Sequence, residues 1–293
     1  MGTTLKRWFR AVPVVAMAIA TQLEGAGAAS SGTLDKIRTD QAIRIAYRDD
    51  ARPFSYKESD SVEPAGYMVN LCRAVAKKLA DQLGVPSLKV VYVAVTAATR
   101  FEAIEKHNAD LLCEPTSATL SRRKQVDFSI PTFVDGASLL TSDMNLRHLN
   151  GLGGHKIGVL AGTTTEDVLR RMLKERGISA EVVSAKTHDE GLAMLEGGAT
   201  SAYFADRSIL MFLLKDISMT SEKLQIAEDY LTVEPYALAL ARDDQDFRLA
   251  VDTALSHIFR SNEIIAIFDK SFAGKLKRSD LIDALYVISG LPD

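Results

Sequence analysis

The chain has 293 residues, 47% of them hydrophobic and 25% charged, with 35 Lys and Arg against 38 Asp and Glu for a net charge of −3. That length buries a core easily and allows one or two domains. The mild acidity argues against nucleic acid as a partner, which is held by clustered Lys and Arg, yet it permits an anionic small ligand, because a few placed arginines suffice for one.

Residues 1–28 read as an export leader. Lys6, Arg7 and Arg10 form a basic start, Ala11–Ala20 an apolar run, and Ala26, Gly27 and Ala28 an A-x-A cleavage motif. The apolar run is too short for an ordinary membrane span of about 20 residues. The expectation is a cleaved signal peptide and a protein outside the cytoplasmic membrane, with an uncleaved anchor as the alternative. Cys72 and Cys113 would then sit in an oxidising compartment, as a disulfide or as two buried thiols.

Ile43–Tyr47 alternates as a strand and places Arg48 at its C-terminal end, where open α/β sheets gather their ligands. The polar loop that follows carries Phe54 and Tyr56 as an apolar insertion, packed on their own lobe in the plainer reading. Met68, Leu71, Cys72, Val75, Leu79 and Leu83 recur at helical spacing, and Gly84 and Pro86 end that helix. Leu88–Val95 is the next strand. Arg100 then opens a short helix, where a positive charge opposes the dipole, which favours a ligand role for it.

The stretch from Asp110 to Ser129 organises the first half. It reads as a short buried strand, Leu111–Cys113, then a hydroxyl-rich turn, then a helical turn or two with Arg122, Arg123 and Lys124. Such a turn aims backbone N–H groups at an anion. Thr116, Ser117 and Thr119 add neutral donors, and an arginine forks onto a carboxylate with two parallel hydrogen bonds. The plainer reading is a helix cap followed by a solvated basic face.

After an extended crossing at Gly136–Thr141, residues 143–234 form a second α/β unit. Lys156–Ala161 is its first strand. Thr163 with Glu166 makes a capping box, and Thr164 is placed to face a cleft. Glu181–Ala185 is the next strand, Thr187 caps the helix that begins with His188, and Tyr203–Asp206 ends in a carboxylate that serves as a ligand group or as a helix cap. Tyr236–Ala241 reads as a return crossing, followed by helices over 245–260 and 263–274 and a further amphipathic turn over 279–289. There is no phosphate loop, dinucleotide fingerprint, nucleophile elbow or paired-histidine metal motif, and no cofactor is expected.

The Asp110–Ser129 stretch, with its aspartate, two apolar residues, hydroxyl turn, Arg122 and closing Phe128-Ser129, resembles the periplasmic polar amino acid-binding proteins of ABC uptake systems, solute-binding family 3. Arg48 to Tyr56, Gly66 and Tyr67, Thr96 to Arg100, Ala161 to Glu166 and Ser184 to His188 extend the likeness over about residues 33 to 275, and it is strongest to the glutamate/aspartate-binding branch. The resemblance implies a two-lobed α/β fold with two hinge crossings and a ligand cleft between the lobes. Residues 29–141 with 236–293 would form the first lobe and 142–235 the second.

It further implies a monomeric receptor in the periplasm that delivers an amino acid to an ABC permease in the inner membrane. Arg122 with Ser117 and nearby N–H groups would hold the α-carboxylate, with Thr116 a further donor, Asp206 would hold the α-ammonium, and Phe54 or Tyr56 would cover the ligand. Arg48, Arg100, Thr163, Thr164 and His188 would read the side chain, a set that best fits an acidic one. Two departures stand out: the branch usually has Gly-Ser where this chain has Glu114 and Pro115, and a small hydroxyl where it has Ala97. An inward Glu114 would pair with Arg48 or Arg100, or favour a polar or basic ligand end. The readings from other classes are an exported dehydratase on the same fold and a sensor for a membrane receptor.

Overall fold

The computed structural model describes residues 1–2, 32–216 and 224–292, so all but the first two residues of the expected leader lie outside the described chain. Two five-stranded sheets organise the described residues. The first is built from β1 (Ala42–Arg48), β4 (Lys89–Val95), β5 (Leu111–Leu112), β6 (Asp127–Asp135) and β12 (Glu234–Leu240), in the order β4-β1-β5-β12-β6. β1 runs parallel to β4 and β5, while β12 returns antiparallel to β5 and β6. A small hairpin of β2 (Asp50–Ala51) and β3 (Ser55–Tyr56) follows β1.

The second sheet holds β7 (Ala137–Thr141), β8 (Lys156–Leu160), β9 (Glu181–Ala185), β10 (Ala202–Asp206) and β11 (Gln225–Ile226), in the order β11-β7-β10-β8-β9. The helices are α1 (Thr33–Asp40), α2 (Tyr67–Leu83), α3 (Arg100–Glu105), α4 (Thr164–Glu175), α5 (His188–Glu196), α6 (Arg207–Asp216), α7 (Gln245–Phe259), α8 (Glu263–Phe272) and α9 (Asp280–Ser289). The protein is therefore a two-lobed α/β structure with one mixed sheet in each lobe. Parallel pairs need long crossovers, which here are helices laid on the sheet faces.

Sheet membership changes at Gly136, a single residue between β6 and β7, and again between Ile226 and Glu234. The two passages run close together. A Cβ on Gly136 would lie 2.4 Å from the Thr232 carbonyl oxygen, so only glycine lets the backbones meet there.

The first core packs Met68, Leu71, Val75 and Leu79 of α2 against Ile43 and Ile45 of β1, together with Phe247, Leu255 and Phe268 of α7 and α8. Phe54 is wholly buried, in edge-on contact with Phe133, Tyr236 and Phe272. It is a core ring of its own lobe and no cover for a ligand. Of the two states open for the cysteines, the disulfide is the one formed: Cys72 of α2 is bonded to Cys113 at the end of β5. The residues over 279–289 form α9, which packs on β6.

Candidate ligand site

Three segments of the first lobe end at one place. Arg48 is the last residue of β1, Arg100 the first of α3 and Glu114 stands two residues beyond β5. These are the C-terminal ends of parallel strands and the turns after them, where such sheets bind their ligands. Arg48 donates from Nε to Asp50 Oδ1 at 2.9 Å, and its Nη2 lies 2.7 Å from the same oxygen. Burial pushes the Asp50 carboxyl up, but the Arg48 guanidinium outweighs it and holds the carboxyl below the usual range.

Glu114 is wholly buried, with Oε2 3.5 Å from Arg48 Nη1 and Oε1 3.5 Å from Arg100 Nε. Neither carboxylate oxygen has a hydrogen-bond partner, so these groups are held by charge. Arg100 donates from Nη2 to the Gly162 carbonyl of the second lobe at 3.2 Å. Burial, with Arg122 and Arg48 nearby and Glu114 opposing, lowers the Arg100 guanidinium to about 10.

The segment after Pro115 lies along β12. Ala237 donates its N–H to Thr116 and Ala118 donates to Pro235, at 3.1 and 2.8 Å. Side chains of an extended segment alternate sides. Ser117 therefore faces the second lobe, while Thr116 is buried with its hydroxyl unpartnered and is not part of the pocket wall. Ser117 Oγ donates to Glu234 Oε2, which also accepts from Thr164 of the second lobe.

The expected helix after this turn is a three-residue 3-10 turn, Arg122–Lys124. Its first N–H groups are taken by Thr119, through the hydroxyl for Arg122 and the carbonyl for Arg123. No helix dipole therefore stands behind the Arg122 guanidinium and the Ser117 hydroxyl. Arg122 donates to the Ser117 carbonyl at 2.9 Å and stacks against the Phe101 ring.

The second lobe supplies the facing wall. Gly162 has φ +72, a left-handed turn that glycine adopts without steric cost, and it feeds α4. Thr163 caps α4 by accepting from Glu166 N–H, and Glu166 accepts in turn from Gly162 N–H. Thr187 caps α5 in the same way, which sets His188 in the first turn. His188 donates its backbone N–H to Asp50 of the first lobe at 3.3 Å, and its Nδ1 lies 3.0 Å from the Tyr203 hydroxyl. Burial first, then the Arg48 charge, lower the imidazole to about 3, so it is neutral at physiological pH.

Asp206 ends β10 and accepts from the Tyr236 hydroxyl at 2.6 Å and the Thr165 hydroxyl at 3.2 Å. Burial, with Asp135 and Glu234 near, raises its carboxyl to about 7. Asp135 is raised to about 6 by burial in the same way.

One pocket between the lobes is walled by Arg48, Arg100, Ser117, Arg122, Thr163, Thr164, His188 and Asp206. Of the residues named from sequence to hold or read the ligand, Thr116 and the expected donor Thr119 stay outside it and the others meet there. The sequence reading missed Asp50, Glu234 and Tyr236. Their common signal was a polar residue beside a strand end, which is too frequent to single them out. The open volume is about 20 Å³, room for roughly one water. Among the described residues no cluster of His, Cys, Asp and Glu is placed to hold a metal ion, and no helix is long and apolar enough to cross a membrane.

Residues 43–274 match the family of bacterial extracellular solute-binding proteins, family 3. An L-glutamate/L-aspartate-binding protein of Pseudomonas aeruginosa is 31% identical over 243 residues, covering 83% of this chain and 80% of the relative. A glutamate/aspartate import solute-binding protein of Escherichia coli is 26% identical over 275 residues, covering 92% and 90%. Among solved structures, a solute receptor for L-cysteine of Neisseria gonorrhoeae superposes with a TM-score of 0.74 at 22% identity, over 83% of this chain and 96% of that one. The last shows a shared fold, and the family match and curated relatives establish the lineage: the chain belongs to the bacterial extracellular solute-binding proteins, family 3.

Proposed function

We propose that this protein is the extracytoplasmic receptor of an ABC importer and closes its two lobes around a polar L-amino acid. The observation that carries the reading is that Ser117 and Arg122 on one lobe and Asp206 on the other wall the same pocket. A guanidinium suits the α-carboxylate, as does the Ser117 hydroxyl once it turns from Glu234 to the ligand, and a buried carboxylate suits the α-ammonium. Thr163, Thr164, His188, Arg48 and Arg100 remain for the side chain.

An opening of about 20 Å³ admits no amino acid, so the ligand enters by parting the lobes. The passages at Gly136 and between Ile226 and Glu234 are the hinge. A ligand that touches both lobes then favours the closed form, and that form is what a permease distinguishes from the open one. The relatives that support transport are named for glutamate and aspartate, and the family, described as extracellular, together with the leader motif supports a periplasmic location.

The test is isothermal titration of the purified protein with the full set of L-amino acids, beside mass spectrometry of any ligand carried through purification. Stoichiometric binding of at least one amino acid, lost in Arg122→Ala, is the expected result. Absence of heat with every amino acid overturns the reading.

A further inference from the structure

The side-chain end of the pocket carries two arginines, but it also carries two carboxylates. Asp50 holds Arg48 at 2.7 Å. Glu114 lies behind both guanidiniums, one oxygen toward each at 3.5 Å, with no exposure of its own. The four charges cancel. A ligand carboxylate entering here would leave one negative charge in excess in a closed, water-poor space, where unpaired charge is strongly disfavoured.

Glu114 cannot easily withdraw. Cys113 before it is bonded to Cys72 of α2 and donates its N–H to Ala46 at 2.8 Å, and Pro115 after it has a fixed φ. Its carboxylate is thereby a permanent part of the site. Arg100, in contrast, keeps donors unused: Nε and Nη1 are both buried with no hydrogen-bond partner among the described residues. What this end lacks is a neutral acceptor oxygen.

We propose that Glu114 is a resident counter-anion that sets specificity, so that the pocket prefers an amino acid with an uncharged carboxamide side chain over glutamate or aspartate. The inference rests on the amino acid-receptor reading above. The amide oxygen accepts from Arg100 without adding charge. Glu114 stands behind the pocket wall, so it is a positioning residue that acts through Arg48 and Arg100.

The experiment is titration of the parent and of Glu114→Gln with L-glutamine, L-asparagine, L-glutamate and L-aspartate at pH 7.5. The parent is expected to bind an amide at least tenfold more tightly than its acid. In Glu114→Gln the amide-to-acid ratio moves at least tenfold toward the acid, because the freed arginines now lack a counter-charge. Parent binding that favours the acid, or a ratio unmoved within threefold in the variant, overturns the proposal while leaving the receptor reading intact. If the variant does not fold, the parent's amide-to-acid ratio decides alone. Silence from all amino acids overturns the receptor reading itself, and this proposal with it.

Discussion

Thr164 of the second lobe donates from Oγ1 to Glu234 Oε2 of the first at 3.0 Å, and Ser117 donates to the same oxygen. One buried carboxylate thus takes a hydroxyl from each lobe. Arg100 on Gly162, His188 on Asp50 and Tyr236 on Asp206 are further polar ties between the lobes. Together they join the lobes without any ligand atom.

Thr164→Val keeps the shape and removes the donor. A hydrogen bond to a charged group contributes about 1.5–3 kcal/mol, so amino acid affinity should fall by about tenfold or more while the fold is retained. Titration calorimetry beside circular dichroism checks this. A Kd within twofold of the parent would show that the tie does not contribute to closure.

Arg122→Ala leaves the Ser117 carbonyl without its guanidinium donor and the pocket without its carboxylate fork. Binding should drop by at least a hundredfold with helix content unchanged. Retention of binding within threefold would remove the assignment of the α-carboxylate to this residue.

Acid should weaken binding through Asp206. Its carboxyl is raised to about 7 by burial and by Asp135 and Glu234, so it is protonated below that pH and loses its attraction for an ammonium. The Kd should rise by about tenfold between pH 8 and pH 6. His188, lowered to about 3, stays neutral throughout and adds no opposing trend in the folded protein. Asp206→Asn should bind weakly with a flat profile over the same range. A parent profile that is flat would count against the ammonium site.

Breaking the Cys72–Cys113 bond should cost stability. The cysteines are 41 residues apart in sequence, and closing a loop of that span is worth about 4 kcal/mol in the chain-entropy model. The double Cys→Ala variant should lose about 2–4 kcal/mol in urea denaturation, with both lobes' secondary structure present in water.

Much of this architecture was legible because periodic elements announce themselves. The α2 repeat of Met68, Leu71, Val75 and Leu79, the strand before Arg48, and the caps at Thr163 and Thr187 all formed at their expected places. What sequence left undecided depended on tertiary neighbours. The turn at Arg122 is only a 3-10 turn because β6 already begins at Asp127, three residues after Lys124. Thr116 left the pocket because its neighbour Ser117 entered it, and adjacent residues on an extended segment cannot both face one way. Glu114 was conspicuous as a departure, but its inward placement follows from packing between β5 and the two arginines, which no local pattern encodes.

The covalent tie at Cys113 sits one residue before Glu114, and it forms only where oxidation is permitted. Until that bond forms, the carboxylate between the arginines lacks its covalent anchor. On the proposed reading, oxidation would then do more than stabilise the fold: it would complete the electrostatic layer that discriminates among amino acids, so that redox state and selectivity are linked through one residue pair.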